Sequence, residues 1–287
     1  MQWYVFAIFA AVLTAASTIV EKKTLLKEHA MEFSAVLAIF NFLIALVLLP
    51  FINLNFSLNM LALIYIAAVL TTIAFLFVAK AVRHMDISVI SPLLAFDPAV
   101  VVVLAFFILR ERITYLQLLG ILLLVAGSFV LEAENYNIKN IFTRKFKSNY
   151  FYYIILALIL YGFGSILSKF ILNTVSPLTF ILVIHFFIAL NFIALISMFH
   201  NGFEGIKHGI KSAGKYIFLV AILVTSCRLF QAQAISMAYV SLVIPIRRMS
   251  NLFATVVGGR MFHEKNLAKR TIACIIMLAG AFLVILG

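Results

Sequence analysis

Long apolar stretches, broken by short clusters of charged and turn-forming residues, set the rhythm of the whole sequence. A membrane-spanning helix needs roughly 20 mostly apolar residues, and the breaks divide the chain into ten such stretches. They cover 2–21, 33–54, 58–80, 87–109, 114–131, 150–172, 177–199, 215–237, 239–262 and 268–286. Most connections are very short, such as "RERIT" and "NTVSP", whereas "EAENYNIKNIFTRKFKSN" (132–149) is long and polar. The pattern predicts an all-α integral membrane protein with ten transmembrane helices: five in 1–131, a polar linker over 132–149, and five in 150–287. The first stretch, "WYVFAIFAAVLTAASTIV", outruns the roughly 7–15-residue core of a signal peptide and has no basic region before it, so it reads as a retained helix.

Composition agrees with the pattern. Hydrophobic residues make up 65% of the chain and charged residues 11%, with a mean hydropathy of +1.17. A soluble domain carries about 25% charged residues, so a water-soluble core is excluded. The net charge of +12 does not point to nucleic acid, because no basic run alternates with aromatics as a single-strand binder requires. It fits basic cytoplasmic loops instead. Odd-numbered loops hold most lysines and arginines, among them Lys27, Arg144, Lys207 and Lys265, whereas even-numbered loops hold Arg110 and Arg112. This places odd loops in the cytoplasm and both termini outside, in a plasma membrane. Cys227 and Cys274 both lie in apolar runs and read as buried thiols.

The two halves match. "AVRHMDISVISP" (81–92) aligns with "AISMAYVSLVIP" (234–245) at an offset of 153. Without a gap, the same offset sets Pro92 on Pro245, Glu111 on Glu264 and Gly127 on Gly280. Five helices per copy is an odd number, so the second copy enters the membrane from the opposite side. That is an inverted-topology repeat, an arrangement common in secondary transporters.

Two segments carry a family likeness: "SPLLAFDPAVVVVLAFFILRERITYLQLLGILLLVAGSFVL" and "IPIRRMSNLFATVVGGRMFHEKNLAKRTIACIIMLAGAFLVIL". Each has a helix proline, a glutamate at a short turn and a final helix rich in small residues. In this the chain resembles the ten-helix EamA-type members of the drug/metabolite transporter superfamily, over essentially its whole length. The resemblance implies transport of a small molecule through a central cavity, with helices five and ten peripheral. It is nearly silent on substrate, since relatives carry amino acids, sugars, nucleotide sugars, phosphorylated metabolites and drugs. It also implies termini inside, against the charge bias.

Charges deep in the bilayer cost about 2.5–3.5 kcal/mol each on insertion scales, so they face an interior. Four stand near the middle of their spans: Asp97, Arg228, Arg247 and Arg248. The repeat offset sets Asp97 on Ser250, close to the arginine pair, and neighbouring helical residues point about 100° apart. Asp97 is therefore well placed to meet Arg247; its partner could instead be Arg248, but not both at one spot. Either this is an ion pair that only holds the halves together, or the surplus positive charge is a substrate site.

Polar residues at helical spacing support a cavity. Thr225, Arg228 and Gln231 form a stripe in span eight, and Arg247 and Asn251 begin one in span nine. Tyr161, Ser165, Ser168 and Lys169 do so in span six, and Thr14, Thr18, Glu21 and Lys22 in span one. These outline an interior lined by spans one, four, six, eight and nine, with Arg247, Arg248, Arg228, Asp97, Asn251, Gln231, Tyr161 and Lys169 as substrate-binding candidates. Pro92 and Pro245 each remove a backbone hydrogen bond and kink their helices. Glu111 and Glu264 stand beside basic residues and read as interfacial ion pairs; His185 and Asn191 read as packing groups.

No enzyme signature, cofactor motif or metal-ligand set stands out in the sequence. The leading expectation is a secondary transporter of a small metabolite with an anionic group, working by alternating access at a midplane site, as a monomer or homodimer. A neutral or cationic solute, with Asp97 as its partner or as the site of a coupling proton, is the alternative. A passive channel is the other, but its rings of repeated polar groups contrast with Arg228 matching Phe75 and Arg247 matching Leu94.

Overall fold

The computed structural model describes residues 2–25, 30–52, 56–84, 90, 93–132, 149–199, 202–254 and 267–287. Helices follow one another as α1 (Trp3–Leu25), α2 (Ala30–Ala45), α3 (Leu58–His84), α4 (Asp97–Leu104), α5 (Tyr115–Glu132), α6 (Asn149–Leu172), α7 (Pro177–Phe199), α8 (Gly202–Met237), α9 (Val240–Arg247) and α10 (Leu267–Leu286). A tight turn of 3-10 helix extends α2 through Leu46–Phe51, and a wide π turn extends α4 through Ala105–Leu109.

Local chemistry explains several ends. Thr114 and Gln117 exchange side-chain and backbone hydrogen bonds at the start of α5, a reciprocal cap that satisfies two free N–H groups. Ser176 accepts from the Thr179 amide at the start of α7, where Pro177 occupies a position that needs no N–H.

Six helical segments are long and apolar enough to cross a membrane: Trp3–Glu21, Met31–Phe51, Leu58–Val78, Tyr150–Leu172, Pro177–Phe199 and Gly202–Met237. Asp97–Leu109, Tyr115–Leu131 and Thr271–Leu286 are shorter apolar helices. The expected fourth and ninth spans are thus not continuous. The helix breaks at Ala95–Phe96 and again at Arg248–Met249. Pro98 helps set the first break, because its ring excludes the carbonyl four residues earlier. Bulky apolar side chains such as Phe106, Phe107, Leu122 and Phe282 face outward, a surface suited to lipid and not to water. Cys227 is buried and Cys274 is partly exposed.

Both breaks share one backbone geometry. Phe96 N–H donates to Leu93 over 3.1 Å and Met249 N–H to Ile246 over 3.0 Å; Val100 donates to Phe96 over 3.2 Å and Phe253 to Met249 over 3.1 Å. All three positions of one set lie 153 residues before those of the other.

Helix packing is reciprocal in the same sense. α1 packs on α8 as α6 packs on α3, α2 on α8 as α7 on α3, and α4 on α6 as α9 on α1. α5 and α10 pack on each other at glycines: a β-carbon at Gly120 would stand 2.6 Å from the Gly280 carbonyl, and one at Gly280 would stand 2.7 Å from that of Gly120. Gly127 sits likewise against Ala273, which the 153-residue offset exchanges with the Gly120–Gly280 contact.

Pro92, Glu264 and most of the 132–149 linker lie outside the described residues. Pro245 is buried inside α9, and the break comes after it, at Arg248, not at the proline itself.

Candidate functional site

A cavity of about 220 Å³ lies among α3, α4, α6, α7, α8 and α9. The helix break brings Asp97 into it. Because α4 begins at Asp97, the carboxylate stands in a first helical turn, where negative charge meets the free N–H groups of the helix. From the other broken helix come Arg247, in the last turn of α9, and Arg248, at its end.

These two neighbours part company, as their turn about the helix axis requires. Arg248 Nη2 donates to Asp97 Oδ2 over 2.8 Å. Arg247 Nη1 donates to Gln231 Oε1 of α8, also over 2.8 Å. Arg248 Nε is buried with no hydrogen-bond partner among the described residues. One turn from Gln231 on the same face of α8, Arg228 lines the cavity and makes no hydrogen bond or ion pair among the described residues. Tyr161 of α6 lies within electrostatic reach of all four charges. The lining thus sets three guanidinium groups against one carboxylate, a surplus of positive charge with donors to spare.

Six of the eight binding candidates read from the sequence therefore line the cavity: Asp97, Tyr161, Arg228, Gln231, Arg247 and Arg248. The other two lie elsewhere. Asn251 Nδ2 donates to Ser128 Oγ of α5 over 2.8 Å, outside the lining. Lys169 Nζ donates to the carbonyls of Ile235 and Ala238, each over 2.8 Å, and so caps the C-terminal end of α8. Thr225 turns away as well, donating to Asn41 Oδ1 of α2.

Among the described residues, none of α1 lines the wall. The hydroxyls of Thr14 and Thr18 donate to carbonyls of their own helix, and Thr14 also meets Cys227 Sγ at 2.9 Å. The two threonines of the α1 stripe serve helix packing, and the Lys22 side chain lies outside the described residues. In place of α1 stand Thr71 of α3 and Phe180, Ile181 and Ile184 of α7. Thr71 sits in the polar pair "TT" at the middle of span three, a signal open to reading. The isoleucines carry none, since an apolar residue in an apolar helix looks alike against lipid or cavity.

Among the described residues Glu111 makes no ion pair with its basic neighbours. Arg110 takes a left-handed conformation at φ 55°, which ends the helical run and turns the next residue inward. Buried Glu111 then accepts from the backbone N–H groups of Val240 and Ser241, 3.0 Å each, and from the Ser241 hydroxyl. It caps α9, the helix that carries Arg247.

Comparison with known proteins gives a consistent result. No curated protein matches the chain. A solved structure described only as the crystal structure of a protein superposes with a TM-score of 0.77 at 13% identity, covering 99% of this chain and 97% of that one; this likeness is one of fold. The sequence model of the EamA-like transporter family matches residues 1–132 and 149–286. A multi-pass helical membrane protein built around a charged cavity, the chain belongs to the EamA-like transporter family.

Proposed function

We propose that the protein is a secondary transporter of a small metabolite bearing an anionic group, held between the charged ends of the two broken helices. The observation that carries this is Arg228, a permanent cation at the cavity wall with no hydrogen-bond or ion-pair partner among the described residues, beside Arg247 and Arg248 and opposite the one carboxylate those residues place there. Guanidinium groups stay charged and present a planar fork that suits carboxylate or phosphate. An anion entering here offsets the desolvation of the surplus charge, whereas a cation meets an aspartate already held by Arg248.

On this reading the chain is two inverted-topology five-helix repeats, 1–131 and 150–287, that rock about a midplane site by alternating access. The two matching breaks and the reciprocal helix packing support the duplication. The lysine and arginine bias supports cytoplasmic odd-numbered loops, in what we take to be a plasma membrane. A proton is the coupling ion we would test first, by imposing a pH gradient across proteoliposomes. Monomer and homodimer both accommodate a site held within one chain.

Thermal-shift screening of purified protein against carboxylates, phosphates, sugars and amines tests the substrate class. Small anions raise the melting temperature, and Arg247→Gln or Arg228→Gln removes the rise. Stabilisation by amines alone, or transport that survives Arg247→Gln unchanged, overturns the reading.

A further inference from the structure

The charged groups of the cavity gather at one end, and the hydrocarbon of Leu172, Phe180 and Ile235 at the other says as much about the ligand as the arginines do. Along α6 the lining runs from Tyr161 past Ser165 and Ser168 to Leu172, about 16 Å at 1.5 Å per residue. Along α8 it runs the same way from Arg228 to Ile235, because Lys169 of α6 reaches the Ile235 carbonyl. The charged groups occupy the end marked by Tyr161 and Arg228. Leu172, Phe180 and Ile235 form the other end, with Ile181 and Ile184 as the wall between.

We propose that the site takes a non-zwitterionic organic dianion with a compact apolar body, the chemistry of an alkyl or aryl phosphate monoester. This rests on the reading of the cavity as an anion site. The head lies against Arg228 and Arg247, and the body lies along Ile184, Ile181, Phe180 and Leu172.

Three features select this class. Charge comes first: with Arg248 engaged by Asp97, two guanidinium groups remain, which matches a doubly charged head whose oxygens accept from both forks. Next, an amino acid is disfavoured. Among the described residues Asp97 is the one carboxylate lining the cavity, so a substrate ammonium would sit among arginines without a counter-charge. A sugar phosphate is disfavoured too. The hydroxyls of Thr71, Ser165 and Ser168 already donate to carbonyls of their own helices, and the far end is hydrocarbon. Sugar hydroxyls there would give up water for no donor. The volume of about 220 Å³ is below the roughly 300–1,000 Å³ of drug-sized sites, so the body is small.

The test is a melting curve of the detergent-purified full chain with n-butyl phosphate, inorganic phosphate, leucine and glucose 6-phosphate. Butyl phosphate is expected to raise the melting temperature by about 3–5 °C at saturation, more than inorganic phosphate, with leucine and glucose 6-phosphate near zero. Arg228→Gln removes the rise, and Arg247→Gln gives the same readout should the first variant not fold. Ile184→Ser erases the advantage of butyl phosphate over inorganic phosphate. If leucine or glucose 6-phosphate stabilises equally and in an Arg228-dependent way, the anion site stands and this inference falls. Equal shifts by inorganic and butyl phosphate also overturn it. If no anion shifts the folded wild type, both readings fall together.

Discussion

Asp97 and Arg248 join the two helix breaks: the carboxylate opens the second part of one broken helix, the guanidinium ends the first part of the other, and 2.8 Å separates them. Their side chains are 8% and 21% exposed, so the pair is shielded without being dry. Removing one partner of a fully buried pair costs about 3–5 kcal/mol; the residual exposure of Arg248 lowers the expected cost to about 1–3 kcal/mol. Asp97→Asn is expected to lower the melting temperature, and the double variant Asp97→Asn/Arg248→Gln to melt above it. Additive losses in that cycle would show that the two residues are not coupled.

Arg228 predicts the opposite sign. It lies at the cavity with no partner among the described residues, and an uncompensated charge away from bulk water destabilises the fold. Arg228→Gln is therefore expected to melt at or above the wild-type temperature by up to about 1–2 kcal/mol in stability, while anion uptake into proteoliposomes falls at least tenfold. A lower melting temperature with uptake intact would reassign Arg228 to structure.

What was readable in the sequence, and what was not, follows from the physics of each signal. The 153-residue offset was legible from the segments before the breaks, "AVRHMDISVISP" and "AISMAYVSLVIP", although the breaks themselves differ in sequence, and the structure gives both breaks the same backbone hydrogen bonds. The deep charges were legible because each is costly against lipid. The choice between Arg247 and Arg248 was not, since it depends on which side of the break each residue falls. Asn251 and Lys169 show a further limit: a polar stripe identifies a helix face but not the neighbour it meets, here Ser128 and the end of α8. The apolar wall of Ile181 and Ile184 left no trace in the pattern at all.

The crossing of α5 and α10 allows a test of backbone proximity. With Gly280's carbonyl 2.6 Å from a β-carbon at Gly120, and backbone in the way on both sides, no rotamer change makes room. Gly120→Ala and Gly280→Ala should each force the helices apart, at about 1–3 kcal/mol. Gly164→Ala provides the contrast, because its nearest neighbour in that direction is Thr71 Oγ1 at 3.7 Å. Equal melting temperatures for all three variants would mean that α5 and α10 do not approach this closely.

The α8–α9 connection is held by two charged caps of opposite sign, and these define the last prediction. Lys169 binds the final carbonyls of α8, Glu111 binds the first amides of α9, and Ala238 and Tyr239 lie between. Charge at each cap complements the helix end it touches. Glu111→Ala leaves the Val240 and Ser241 amides buried without their partner, at about 2–4 kcal/mol in all; Lys169→Met removes two charge-assisted bonds, at about 1–2 kcal/mol. Arg110→Gly serves as the control for the turn itself: its left-handed backbone suits glycine, so stability should hold or rise by up to about 1 kcal/mol. Because Lys169 and Glu111 lie outside the lining, the stabilisation that an anion confers on these variants, measured against each variant's own melting temperature, should match wild type. A Lys169→Met protein that melts normally but loses that stabilisation would return Lys169 to the binding site.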